Sequence, residues 1–152
     1  MRIEVESGSN CFLWKFTDWL WKGNIKTGAL DMGRAVICVN ENNERLFPPS
    51  NKTPYLWVGF NDPGDDLSED HLKAILAFAE AFKSRGLIVH CYGGRNRSST
   101  ICYYLMRKFG MSYGEVCSIF KDSDSNVGIR RSLAERFSFL TGYKYEESWI
   151  DN

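Results

Sequence analysis

The sequence predicts an α/β domain with a central, mostly parallel sheet of about four or five strands flanked by helices. Three observations carry that expectation. The short unbroken apolar runs "RAVICVN", "YLWVGFN" and "GLIVHC" have the makeup of strands covered on both faces. Segments with apolar residues at helical spacing lie between and after them. The chain, residues 1–152, is long enough to bury one core without disulfides or metals, so a single domain is expected.

Taken in order, the chain begins with Trp14, Trp19 and Trp21. Large aromatics mostly serve burial, so core or edge-strand packing is expected of them rather than ligand stacking or a membrane interface. "RAVICVN" is the first of the three strands. The Asn-, Pro- and Ser-rich stretch "NENNERLFPPSNKTP" reads as a loop leading to "YLWVGFN". Over residues 69–84, Leu72, Ile75, Leu76, Ala79 and Phe82 recur at helical spacing, with Ser68 as N-cap and Glu69 and Asp70 suited to the positive end. This helix runs into "GLIVHC", which Gly86 and Gly93 bound. A second helix begins near Arg97, turns Ile101, Leu105 and Met106 inward and ends at Gly110. In "SYGE", Ser112 and Glu115 form a capping box opening a third through Val116, Ile119 and Phe120. Ile129, Leu133, Phe137 and Leu140 mark a fourth, closed by Gly142. Three successive helices at the C-terminal end predict a helical layer mostly on one face of the sheet.

Lys+Arg and Asp+Glu balance at 19 each, which excludes a global field of the kind that draws nucleic acid or membrane surfaces. The pairs Arg107-Lys108 and Arg130-Arg131 read as solvated helix faces. Five cysteines (Cys11, Cys38, Cys91, Cys102, Cys117) without CxxC spacing, and an N-terminus "MRIEVESGSN" with no apolar h-region, predict reduced thiols in a cytoplasmic protein. No apolar run approaches the roughly 18 residues of a membrane span.

The stretch "VHCYGGRNRSST" carries the chemistry. With Cys91 closing a strand and a helix starting near Arg97, "YGGRN" becomes a tight loop whose backbone N–H groups converge at a helix N-terminus, a nest for an anion. Gly93 and Gly94 suit the backbone conformations and close approach such a loop needs. Arg97 adds a planar fork that grips two phosphate oxygens. The same field acts on Cys91, because helix N-termini and nearby cations lower a thiol's pKa from about 8.5 to about 3.5–7.5. Ser98 can donate a hydrogen bond to Cys91 when it acts as a leaving group.

Other chemistries fit less well. A Cys-His hydrolase needs a base for Cys91, yet His71 lies early in a helix and His90 is adjacent in the strand, where successive side chains face opposite ways. Zinc spacing is missing, as is the Gly-Lys-Ser/Thr of a nucleotide-binding loop. A purely structural thiol leaves His90, Arg95 and Arg97 to be buried without an anion.

"HCYGGRNRS" matches His-Cys-(five residues)-Arg-Ser/Thr and resembles the cysteine-dependent protein tyrosine phosphatases; the chain's brevity resembles their dual-specificity branch. The resemblance runs over residues 35–140, with "AVICVN" similar to the family's second strand, "FNDPGDDLS" to its general-acid loop and "NVGIRRSL" to its Asn-x-Gly segment. It implies a phosphotyrosine-phosphatase-like fold in which Cys91 attacks phosphorus and forms a cysteinyl-phosphate. Tyr92, Gly93, Gly94, Arg95, Asn96 and Arg97 would hold the phosphate, and His90 would support the loop. Asp62 is the expected general acid, with Asp65 and Asp66 as rivals. No metal or cofactor is implied. The expected substrates are phosphotyrosine and phosphoserine or phosphothreonine on proteins, the enzyme acting as a monomer, and a nuclear location is open to a eukaryotic protein. Arg95 keeps phosphoinositide and RNA 5′-phosphate as alternatives, and a catalytically weak phosphate-binding pseudophosphatase is a separate one. Some relatives protect the nucleophile by a disulfide; Cys38 is the better candidate here and Cys102 the other, although each reads first as a small buried hydrophobe.

Overall fold

A computed structural model, which describes residues 2–6, 11–123 and 126–151, places six strands in one sheet. In chain order they are β1 (Arg2–Glu6), β2 (Cys11–Lys15), β3 (Leu20–Gly23), β4 (Ala35–Cys38), β5 (Tyr55–Trp57) and β6 (Leu87–His90). Across the sheet they run β1-β2-β3-β6-β4-β5. The first three are antiparallel, and the pairings β3 with β6, β6 with β4 and β4 with β5 are parallel. The expected, mostly parallel sheet is therefore present with an antiparallel part: five strands from β2 onward form its body and β1 extends one edge. The three apolar runs supply β4, β5 and β6. The antiparallel part comes from the N-terminal segment, where the sequence reading assigned no strand.

Among the described residues, five α-helices accompany the sheet: α1 (Ile25–Gly28), α2 (Glu69–Phe82), α3 (Arg97–Lys108), α4 (Tyr113–Ser123) and α5 (Arg131–Thr141). Strand alternation decides where they pack. Ile37, Val39, Leu87 and Val89 face one side, where they meet Leu72 and Ile75 of α2, Ile101 and Leu105 of α3, Val116 of α4 and Leu133 of α5 in one core. Ile88 faces the other side, in a small cluster with Leu13 and Trp21 that Met32 completes. The single turn α1 packs there against β2, β3 and β6. The helical layer lies mostly on one face, as expected.

The local signals act as read. Ser68 caps α2 by accepting from the His71 N–H at 3.3 Å, and His71 Nδ1 accepts from the Ser68 N–H at 3.0 Å. Ser112 and Glu115 exchange the two bonds of a capping box, each 3.1 Å, ahead of α4. Gly142 closes α5, its N–H donating to Ser138 O at 2.8 Å. The fourth predicted helix starts later than expected. Ile129 and Arg130 form β7 (Ile129–Arg130), which pairs in parallel with β8 (Ile150–Asp151), and α5 begins only at Arg131. Trp14 and Trp21 are buried on opposite faces of the sheet, while Trp19 meets Phe109 edge-on at 5.1 Å, so all three serve packing.

Candidate active site

β6 ends at His90, and the next seven residues turn through a loop into the first turn of α3. Cys91 is 2% exposed at the base of this loop, with Sγ 3.1 Å from Ser98 Oγ. Among the described residues, none of the backbone N–H groups of residues 92–96 donates to a backbone carbonyl or a side chain. Unpartnered donors beside a helix N-terminus are a feature that an anion nest requires. Gly94 has φ +73°, and a Cβ on it would lie 3.0 Å from Gly23 O and 3.2 Å from the Trp14 ring. Gly93 differs from expectation: its backbone is not left-handed, and a Cβ there would meet nothing within 4 Å.

Arg97 begins α3 and is buried along the cleft floor. Its Nη1 donates to Phe60 O at 3.1 Å, its Nη2 pairs with Glu44 at 2.7 Å, and Glu41 lies 4.0 Å from Nη1. Its Nε, 3.6 Å from Asp62 Oδ1, has no hydrogen-bond partner among the described residues. The predicted loop contains a 3₁₀ turn, Asn42–Glu44, that presents both glutamates to this arginine. No local sequence pattern could announce those contacts.

Asp62 lies over the loop. Asn96 Nδ2 donates to its carbonyl at 2.6 Å and to Oδ1 at 2.8 Å, and Arg130 Nε reaches Oδ2 at 2.7 Å. Asn96 Oδ1 accepts from the Arg130 N–H at 2.8 Å, closing the arrangement. Burial is the largest single influence on this carboxyl and raises its pKa. The hydrogen bonds from Asn96 and Arg130, with the charges of Arg130 and Arg97, outweigh it and hold the pKa below its ordinary value. Asp65 and Asp66 turn back instead: the Asn61 side-chain amide donates to Asp65 and its backbone N–H to Asp66 at 2.8 Å. Of the three aspartates, Asp62 alone lines the cleft.

His90 faces the side of the sheet opposite Cys91. Its ring packs against Gly28, where a Cβ would lie 2.4 Å from Nε2. Nδ1 is 3.3 Å from Cys91 O, and since a carbonyl only accepts, Nδ1 carries the proton. Burial, with Arg97's charge in addition, lowers the His90 pKa to about 4. The ring is neutral at pH 7 and no base for Cys91. Cys38 stands in register with His90 and shares its face, which sets it across the sheet from Cys91. Cys102 lies buried within α3, one turn beyond Ser98. His71 is committed to the α2 cap.

These groups surround a cleft of about 530 Å³. Arg95 contributes to its rim, but its Nε is paired with Asp151 at 3.2 Å and its Nη1 lies 3.4 Å from Asn126 Oδ1. Tyr92, 57% exposed, forms another part of the rim. Arg130 corrects the reading of its pair as a solvated helix face, because it bonds Asp62 in the cleft; Arg131 pairs with Glu147 outside it. Glu41, Glu44, Arg130 and Asp151 are the site residues the sequence reading missed. Among the described residues, no group of three or more His, Cys, Asp or Glu side chains is placed to hold a metal, and no helix is long and apolar enough to cross a membrane.

Cys91 directly follows the central strand β6, and Arg97 opens α3 after a loop whose N–H groups have no partner among the described residues. Residues 26–140 match the model of the dual specificity phosphatase catalytic domain, and the chain belongs to that family. A probable dual specificity protein phosphatase of Dictyostelium discoideum is 34% identical over 71 residues, covering 45% of this chain and 18% of the relative. Dual specificity protein phosphatase 6 of Homo sapiens is 32% identical over 95 residues, covering 60% of this chain and 25% of the relative. The match thus spans a quarter or less of the length of these curated relatives. The crystal structure of human DUSP28 superposes with a TM-score of 0.71 at 22% identity, covering 86% of this chain and 93% of that one, a likeness of fold.

Proposed function

We propose that the chain is a phosphomonoester hydrolase acting on phosphotyrosine and phosphoserine or phosphothreonine in proteins, through a cysteinyl-phosphate. The observation that carries this reading is the position of Cys91 Sγ, 3.1 Å from Ser98 Oγ beneath a loop of unpartnered N–H groups. The Cys91 thiolate attacks phosphorus as the ester P–O bond breaks, and Asp62 gives the leaving oxygen its proton. Water then attacks phosphorus, its proton passing to Asp62, and the S–P bond breaks. The returning thiolate accepts a hydrogen bond from Ser98, and inorganic phosphate leaves. Loop amides and Arg97 hold the equatorial oxygens throughout.

Asp62 must be protonated for the first step, although its partners favour the carboxylate at rest. A bound phosphate dianion answers this, since it takes up the charge of Arg97 and repels the carboxylate, raising its pKa. The cleft lining favours monophosphates on protein: four carboxylates (Glu41, Glu44, Asp62, Asp151) stand against three arginines (Arg95, Arg97, Arg130). A phosphoinositide or RNA triphosphate calls for an excess of cations, and Arg95, which could have supplied one, is paired with Asp151. A nucleophilic cysteine also needs a reducing compartment, for which the cytoplasm serves.

The test is phosphate release from a phosphotyrosine peptide by wild type, Cys91→Ser and Asp62→Asn, run beside phosphothreonine peptide, phosphoinositide and RNA 5′-triphosphate. Turnover of the peptides by wild type that disappears in Cys91→Ser is expected. Turnover retained in Cys91→Ser, or phosphopeptide binding with no turnover by wild type, overturns the proposal, the latter in favour of a phosphate-reading binding protein.

A further inference from the structure

Lys22, in the middle of β3, is 0% exposed. Its ammonium lies over the rings of Trp14 and Phe16, 4.9 and 5.8 Å from their centroids. A lysine so deeply buried is costly unless its ammonium is well bonded, so its bonds show what it serves. Nζ donates to Ser99 Oγ at 3.0 Å and to Asn126 O at 3.3 Å. Both acceptors lead to the phosphate loop. Ser99 Oγ donates onward to Arg95 O at 2.6 Å, while the Asn126 side-chain amide donates to Gly94 O at 3.2 Å and lies 3.5 Å from Gly93 O.

Three successive carbonyls of the loop, those of Gly93, Gly94 and Arg95, are thus held by groups gathered on Lys22. A trans peptide is planar, and its C=O points opposite to the N–H of the following residue. Tying those three carbonyls back therefore aims the N–H groups of Gly94, Arg95 and Asn96 the other way. These N–H groups are among those with no backbone or side-chain acceptor. Lys22, Ser99 and Asn126 do not line the cleft, so they act on the loop from behind.

We propose that Lys22 is a positioning residue for the phosphate loop, acting through Ser99 and Asn126 to hold the loop amides in their anion-binding orientation. It touches neither phosphate nor nucleophile. The proposal rests on the phosphatase reading, because it assigns the loop an oxyanion to hold. Its effect belongs to binding of the phosphoryl group in ground and transition states, and is separated from fold stability by measuring both.

The experiment measures tungstate affinity by calorimetry, kcat/KM on a phosphotyrosine peptide, and Tm, for wild type, Lys22→Met, Ser99→Ala and the double variant. Lys22→Met is expected to weaken tungstate binding and lower kcat/KM at least about tenfold, since misplacement of binding groups by about 1 Å is enough to cost that much. No matching fall in Tm is expected. The double variant should be no worse than Lys22→Met alone, because Ser99 acts in series with it. Where Lys22→Met does not fold, Ser99→Ala decides: weaker tungstate binding with Tm preserved supports the relay. Variants that bind tungstate as wild type does, or losses that track Tm, overturn the proposal while leaving the phosphatase reading intact. A wild type that neither binds tungstate nor turns over peptide overturns both.

Discussion

Asp62 and Arg130, 68 residues apart in the chain, meet over the phosphate loop with Oδ2 and Nε 2.7 Å apart. A general acid has to hold its proton, so kcat/KM falls as pH rises through the acid's pKa in the free enzyme. Burial pushes that pKa up, but Asn96, Arg130 and Arg97 together bring it below the ordinary carboxylate value. Arg130→Met removes one of the lowering partners. The pKa rises, and the descending limb of the kcat/KM profile is expected to move to higher pH. A profile unchanged from wild type would show that Asp62 is not the acid being titrated.

Asp62→Asn keeps the shape of the side chain and its contact with Asn96 but has no proton to give. A loss of about 10²- to 10⁴-fold in kcat is expected on phosphotyrosine peptides. An aryl phosphate whose phenol is already acidic needs no such proton, so its turnover should fall much less. Equal losses on both substrates would assign Asp62 to binding.

In the proposed mechanism Ser98 serves the second half of the reaction, when Cys91 leaves as thiolate. Ser98→Ala removes the hydroxyl 3.1 Å from Sγ. The expected outcome is a burst of about one equivalent of leaving alcohol in stopped-flow traces, followed by steady turnover slowed about 10²-fold. A slower reaction with no burst would place the hydroxyl's effect on the first step.

His90 also bears on stability. Its pKa is lowered from 6.5 to about 4, chiefly by burial, so the unfolded chain takes up the proton first as the solution is acidified. Stability is full above about pH 6.5 and is lost as pH falls through about 4, to a total of about 3 kcal/mol. Urea midpoints across this range should fall for wild type and change less for His90→Asn, which has no titrating ring. Gly28→Ala sets a methyl against the same ring, 2.4 Å from Nε2, and is expected to cost about 1–3 kcal/mol at any pH.

Much of this molecule could be read from its chain because the relevant signals are local. Helical spacing marked α2 and α3, Ser112 and Glu115 capped α4 through bonds three residues apart, and the run from His90 to Ser98 holds its loop chemistry in consecutive residues. Other features depend on partners far along the chain. β2 and β3 carry lysines, so their pattern lacks the unbroken apolar character that marked β6; Lys22 finds its bonds at Ser99 and Asn126. Arg130 looked like one of two surface cations until the fold brought Asp62 beside it. Glu44 sits in a polar, proline-containing loop whose composition says nothing of Arg97.

β6 is paired in parallel on both sides, to β3 and to β4, and it hands the chain directly to Cys91. Amides of such a central strand exchange with solvent only when the whole molecule opens, whereas a 3₁₀ turn such as Asn42–Glu44 and the segment around Asp65 and Asp66 can open alone. Deuterium uptake would therefore divide the cleft into a slow floor and a fast margin. On the proposed function, a protein built this way can hold phosphate in one unchanging cradle while its margin adjusts to polypeptides of different shape.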